Sequence, residues 1–241
     1  MNFTRYVHCV IFLSITQLSF AQTDSVQVRG ALSKIMREND FSTHIRLDTL
    51  NKKNLYALGP VTDLKGEIAV IDGKFYRSSK NTDLSRDNRA GDISTDTTAQ
   101  HTAAMLVFSR VKHWDSIHLV EKVDGFEQLQ TLIEKAATAA KKPLSTPFPF
   151  LIKARVQSLN YHIIDWQKDA VHTMDNHKQF ALKKTFKDAE VTLIGFYSDH
   201  HHSIFTHHTT NMHIHVVSEN PTIAGHVDNV EMTDLVLLLP K

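Results

Sequence analysis

Only one stretch of this chain carries the spacing of a long helix, and almost everything after it reads as strand. Across 124–141, Phe126, Leu129, Ile133, Ala136, Ala137 and Ala140 recur at intervals of three and four, the period of an amphipathic helix. Asp124 is placed to cap the first turn, with Glu127 reaching back to it. Lys141 and Lys142 suit the negative C-terminal end, and Pro143 stops the helix. Beyond it, 148–165, 191–197, 212–218, 227–232 and 235–239 are strand candidates. One long helix among many strands predicts an α+β fold of mixed and antiparallel sheets with few helices.

The first half adds more strands. Val26 to Gly30 reads as a short strand, 31–38 as one or two helical turns, and 55–59 as a loop approach. The run from Gly66 to Tyr76 places an Asp72-Gly73 turn between two β-rich segments, a strong hairpin signal. Segments 105–108 and 114–119 read as short strands, whereas 78–100 is polar and predicts a long surface loop. Without repeats or a low-complexity linker, residues 22–241 read as one unit with two β-rich halves, 22–146 and 147–241.

Residues 1–21 stand apart. A short polar start with Arg5 precedes the apolar run CVIFLSITQLSF, and Ser19-Phe20-Ala21 puts small residues where a signal peptidase reads. This pattern predicts a secretory signal removed after Ala21, and hence a secreted or periplasmic protein. The run is too short to span a bilayer as a mature helix, and no other segment is long and apolar enough. Cys9, the only cysteine, lies within this signal. The mature chain would then have no disulfide and no thiol nucleophile, and any soft-metal site must use histidine and carboxylate. A net charge of +1 spread along the chain gives no basic tract for nucleic acid.

Half of the 16 histidines fall between His200 and His226. In Met212-His213-Ile214-His215-Val216-Val217, strand alternation points His213 and His215 to one side. His226 follows a turn marked by Pro221 and Gly225 and is expected to begin the next strand, which would return it beside the other two. Three imidazoles around zinc leave a position open for water or substrate, as in catalytic sites. Copper or nickel would accept the same nitrogens. A lone His-x-His favours a solvated strand face; the third histidine shifts the balance toward a metal. The run His200–His202 is expected to be solvated, with His207 and His208 left open.

The strand 191–197 (VTLIGFY), then His213-Ile214-His215 and Gly225-His226-Val227-Asp228, resemble the C-terminal half of α-acetolactate decarboxylases. Leu64-Lys65-Gly66-Glu67-Ile68 with Ile71-Asp72-Gly73 resembles that family's first hairpin, and Pro147-Phe148 with Phe150 its next strand start. The resemblance runs from about Leu55 to Val230. It implies a two-part fold, a zinc ion or other divalent metal held by His213, His215 and His226, and a homodimer. It also implies conversion of 2-acetolactate, a 2-hydroxy-3-oxo acid, to acetoin. The metal would act as a Lewis acid on an enediolate-type intermediate, with no organic cofactor. Glu67 takes the place of the family's hairpin glutamate, beside the substrate or in proton transfer.

The family's strand-end arginine falls near Ile163–Asp165, where this chain has none. Arg155 or His162 is expected to enter the pocket instead, with a bulge before His162 adjusting the register. The family's C-terminal glutamate has no clear match, and Glu231 is a candidate substitute. The alternative function is an exported metal-binding protein, or a zinc hydrolase reusing the same three histidines.

Overall fold

The computed structural model describes residues 25–81, 92–168, 170 and 173–241. The expected signal, 1–21, and the middle of the expected loop 78–100 lie outside the described residues. In chain order the strands are β1 (Gln27–Arg29), β2 (Ile45–Arg46), β3 (Leu55–Pro60), β4 (Glu67–Ile71), β5 (Lys74–Lys80), β6 (Ile93–Asp96), β7 (Thr102–Ala103) and β8 (Leu106–Arg110). They continue as β9 (Trp114–Leu119), β10 (Val123–Asp124), β11 (Phe148–Ile164), β12 (Ala181–Tyr197), β13 (Met212–Glu219) and β14 (Thr222–Pro240). The α-helices are α1 (Leu32–Glu38), α2 (Phe126–Ala139) and α3 (Met174–Gln179). The molecule is therefore mainly β, consistent with the α+β expectation. Every strand ladder among the described residues is antiparallel, which corrects the expectation of mixed sheets.

One sheet has the order β1-β8-β3-β4-β5-β6. The other has the order β10-β14-β11-β12-β13, with β9 on β14 and β13 returning to β14. That return closes the second sheet on itself. Leu151 pairs with Ile194, Ile194 with His215, His215 with His226, and His226 with His162, back on the strand where the circuit began. Closure removes open edges from these four strands. Although β9 and β10 precede residue 147, both pair with β14 and so belong to the second sheet.

Alternation divides the second sheet's side chains between two cores. Ile152, Leu193, Ile214 and Val216 pack with Leu129, Ile133 and Ala137 of α2. Leu151, Ile194, Phe196 and Val217 face the first sheet and pack with Leu58, Ala69 and Tyr76. The helix α2 and the Asp72-Gly73 hairpin lie where the sequence puts them. Gly125 rather than Asp124 is the N-cap of α2, and Gln128 rather than Glu127 reaches back, its Oε1 accepting the Asp124 N–H at 2.9 Å.

Two local expectations are corrected. Segment 55–60 is an interior strand between β8 and β4, buried along its whole length. Its Gly-Pro end resembles a turn. Gly59 is instead needed for close packing, since a Cβ there would lie 2.1 Å from the Met105 carbonyl oxygen. Segment 78–100 holds the end of β5 and all of β6. Ser78, polar yet fully buried, hydrogen-bonds Thr95 Oγ1 at 2.7 Å and accepts the Ala224 N–H at 2.8 Å. That second bond ties the first sheet to β14 two residues before His226. A polar strand residue is hidden here because it satisfies a buried backbone donor.

Candidate functional site

His213, His215 and His226 converge, each offering a ligand atom within 4.8 Å of those of the other two. His213 and His215 lie two apart on β13, and both point toward the first sheet, as Val217 does. His226 lies opposite His215 on β14. It lies inside this strand, not at its start: the turn is Asn220-Pro221, and Gly225 is already paired with Val216. A Cβ on Gly225 would meet the Tyr161 ring at 2.5 Å, so glycine lets β11 and β14 close beside His226.

Carbonyl groups set the tautomers. His213 Nδ1–H donates to Phe205 O at 2.8 Å, and His215 Nδ1–H donates to Ile68 O at 2.8 Å. Because a carbonyl only accepts, both protons sit on Nδ1 and both Nε2 atoms carry a lone pair. His213 Nε2 lies 3.1 Å from His226 Nδ1. His215 Nε2 is buried and has no hydrogen-bond partner. Burial, with His207 next, pulls His213 down to about 3. Burial, with His213 next for His215 and His162 next for His226, holds both well below the ordinary histidine value. Neutral rings with free nitrogens meeting at one point are what a divalent transition metal requires. The residues present therefore fit such an ion.

Glu67 is 4% exposed, and its Oε2 lies 3.6 Å from His215 Nε2. Its Oε1 accepts the Ile164 N–H at 3.4 Å. Burial pushes its carboxyl up to about 7, against the lowering effect of His162. Alternation along β4 explains its position: Ile68 and Val70 pack under the first sheet, whereas Ala69 packs between the sheets. Glu67 is on the Ala69 side.

His162 also joins the site. It sits opposite His226, with ring centroids 4.8 Å apart. The register is produced by a bulge: Asn160 pairs with Asn229 but Tyr161 with Val227, leaving Asp228 as the extra residue. Asp228 Oδ1 then bonds His162 Nδ1 at 2.8 Å. Bulges commonly re-aim a side chain in this way. Burial alone would lower His162, but the Asp228 bond and the charges of Asp228 and Glu67 outweigh it and raise it above its ordinary value.

Arg155 is not part of the site. It is exposed, pairs with Glu190 near the middle of β11, and does not line the cavity. Glu231 is likewise exposed, beside Ser158. His200, His201 and His202 bond Asp199, Ser198 and Asn211 respectively, away from the convergence point.

The clustered residues open onto a cavity of about 310 Å³ that Glu67, His162, His213 and His226 line. His207 and His208 also line it, as does His177, which the sequence reading did not single out. The opposite wall is α1. Its Leu32 and Ser33 N–H groups donate to Ile204 O at 2.9 Å and Ser203 O at 2.7 Å, docking it on the β12–β13 connection. No sequence signal places this helix there, because the contact joins segments far apart in the chain.

Residues 29–239 match the sequence profile of the family described as alpha-acetolactate decarboxylase. The solved alpha-acetolactate decarboxylase of Bacillus subtilis strain 168 superposes with a TM-score of 0.73 at 15% identity, covering 90% of this chain and 86% of that one. The acetolactate decarboxylase of Bacillus subtilis subspecies spizizenii gives 0.73 at 14% identity, covering 90% and 85%. A Staphylococcus aureus protein described as of unknown function, similar to alpha-acetolactate decarboxylase, gives 0.69 at 15% identity, again covering 90% and 85%. At these identities the structural likeness speaks for the fold. A comparison with curated protein sequences found no match.

Proposed function

The chain belongs to the alpha-acetolactate decarboxylase family of carboxy-lyases, and from that premise we propose that it converts 2-acetolactate to acetoin with a zinc ion held by His213, His215 and His226. The observation that carries the metal is the buried, unpartnered Nε2 of His215 beside two other neutral imidazoles. Copper or nickel would suit the same nitrogens, and the chemistry asks only for a divalent cation.

Such a cation would supply Lewis-acid stabilisation for the negative charge that builds on the substrate's carbonyl oxygen. The bond between the carboxylate carbon and the hydroxyl-bearing carbon breaks, carbon dioxide leaves, and the electron pair moves toward that oxygen. A proton must then reach the hydroxyl-bearing carbon that has lost the carboxylate. Glu67 is the only carboxylate lining the cavity among the described residues, and it adjoins His215. We assign it that proton. His162, held by Asp228 beside His226, orients the substrate from the neighbouring strand. The walls supplied by Leu32, Met36, Leu64 and Ile164 exclude water from the charge that forms.

The test is direct. Purified protein loaded with zinc is expected to form acetoin from 2-acetolactate, to lose that activity on chelation, and to regain it when a divalent metal returns. Stoichiometric metal without acetoin would favour the metal-binding or hydrolase reading. Neither metal nor acetoin would refute the proposal. We also propose export, supported by the apolar run ending at Ala21. N-terminal sequencing of protein from the medium or periplasm is expected to begin near Gln22; a chain still starting at Met1 would refute processing.

A further inference from the structure

One permanently charged side chain lines the cavity among the described residues. Arg37, on the last turn of α1, is the only lysine or arginine among the described residues that line it. It makes no hydrogen bond or ion pair with any described residue, in contrast to Lys65, Lys74 and Lys184, which each hold a carboxylate. Arg37 faces a space whose only carboxylate among the described residues is Glu67. The same space is lined by Thr206, whose fully buried hydroxyl also has no partner. The buried Thr206 hydroxyl calls for a polar occupant, because a buried group left unpaired is costly, and the exposed Arg37 supplies a cation at the mouth of the same cavity.

The charge balance identifies what kind of occupant. The divalent cation proposed at the three histidines would face the substrate's hydroxyl and carbonyl oxygens, and a cation at the rim gives the carboxylate a separate partner. Guanidinium matches carboxylate in shape and donates two parallel N–H bonds to it, which also fixes the plane of the carboxylate. The docking of α1 through Leu32 and Ser33 places the exposed Arg37 at the rim of the cavity.

We propose that Arg37 binds the carboxylate of the substrate, so that the acid is held between α1 and the three-histidine cluster with its scissile carbon–carbon bond oriented for cleavage. This rests on the decarboxylase reading for the identity of the acid, but the anion contact itself does not depend on turnover. Arg37 is a binding and orienting residue supplied from the N-terminal helix, outside the sheets that carry the histidines.

Two measurements test it. In Arg37→Gln the KM for 2-acetolactate is expected to rise about tenfold to a hundredfold, the worth of a charge-assisted contact, with zinc content and melting temperature unchanged. Arg37→Lys is expected to recover part of the loss, since it keeps the charge but not the paired donors. The second measurement needs no turnover. Calorimetry with 2,3-dihydroxy-2-methylbutanoate and with its neutral amide is expected to show wild type preferring the acid and Arg37→Gln losing that preference. A KM within twofold of wild type in Arg37→Gln overturns the proposal. So does a preference for the acid that survives the substitution, or wild type that does not distinguish acid from amide. If no acetoin forms but wild type prefers the acid and the variant does not, the carboxylate site stands and the decarboxylase reading falls.

Discussion

Replacing His215 with alanine is expected to strip the protein of its metal and lower acetoin formation by about 10³-fold or more, the scale of several kcal/mol of lost charge stabilisation. His215 is fully buried, and its free Nε2 lies between Glu67 and the other two histidines. Two remaining imidazoles hold a divalent ion far less well than three. Alanine also leaves the Ile68 carbonyl without its donor, which costs about 1–3 kcal/mol in a buried setting. His215→Gln separates the two effects, because its amide can still donate to Ile68 O while offering a poor metal ligand. The measurements are metal content by atomic emission, melting temperature and initial rate. A folded His215→Gln that retains stoichiometric metal and full activity would remove His215 from the centre.

The second large effect is expected for Glu67→Gln, a loss of about 10²–10⁴ in kcat with metal retained, the range for removing a general acid or base. Glutamine preserves the acceptor for the Ile164 N–H and nearly the same volume, so the buried environment changes little. It cannot give up or take a proton. The residual acetoin is expected to lose enantiomeric purity, because water would then protonate the carbon from either face. His162→Gln is expected to cost less, since that residue orients without supplying the proton. Equal rates for wild type and Glu67→Gln, with unchanged product chirality, would transfer the proton step to another group.

Several parts of this protein were legible from neighbouring residues. The helix α2 announces itself through intervals of three and four, and the Asp72-Gly73 hairpin through its turn chemistry. His213 and His215 share a side because a strand repeats every two residues. The same local rules failed at 55–60, where a Gly-Pro end hid an interior strand, and at Ser78, where a polar residue serves a buried backbone donor from another sheet. They failed for Arg155 too, since alternation says which side a residue faces but not how far along the strand the site lies.

The resemblance of the hairpin and of the histidine strands to one family rests on short motifs, and their order along the chain belongs to the sequence alone. Which residues meet does not. One extra residue in β14 against β11 sets His162 opposite His226 and presents Asp228 to its ring; without that shift His162 would face a different partner. Closure of four strands brings His226 between His215 and His162. Ile68, 147 positions from His215, decides which nitrogen of that ring is free. Docking of α1 decides that Arg37 faces the cavity. Local spacing encodes periodicity within an element, whereas register, closure and docking depend on energies shared among distant segments, and those become definite only when the whole core packs.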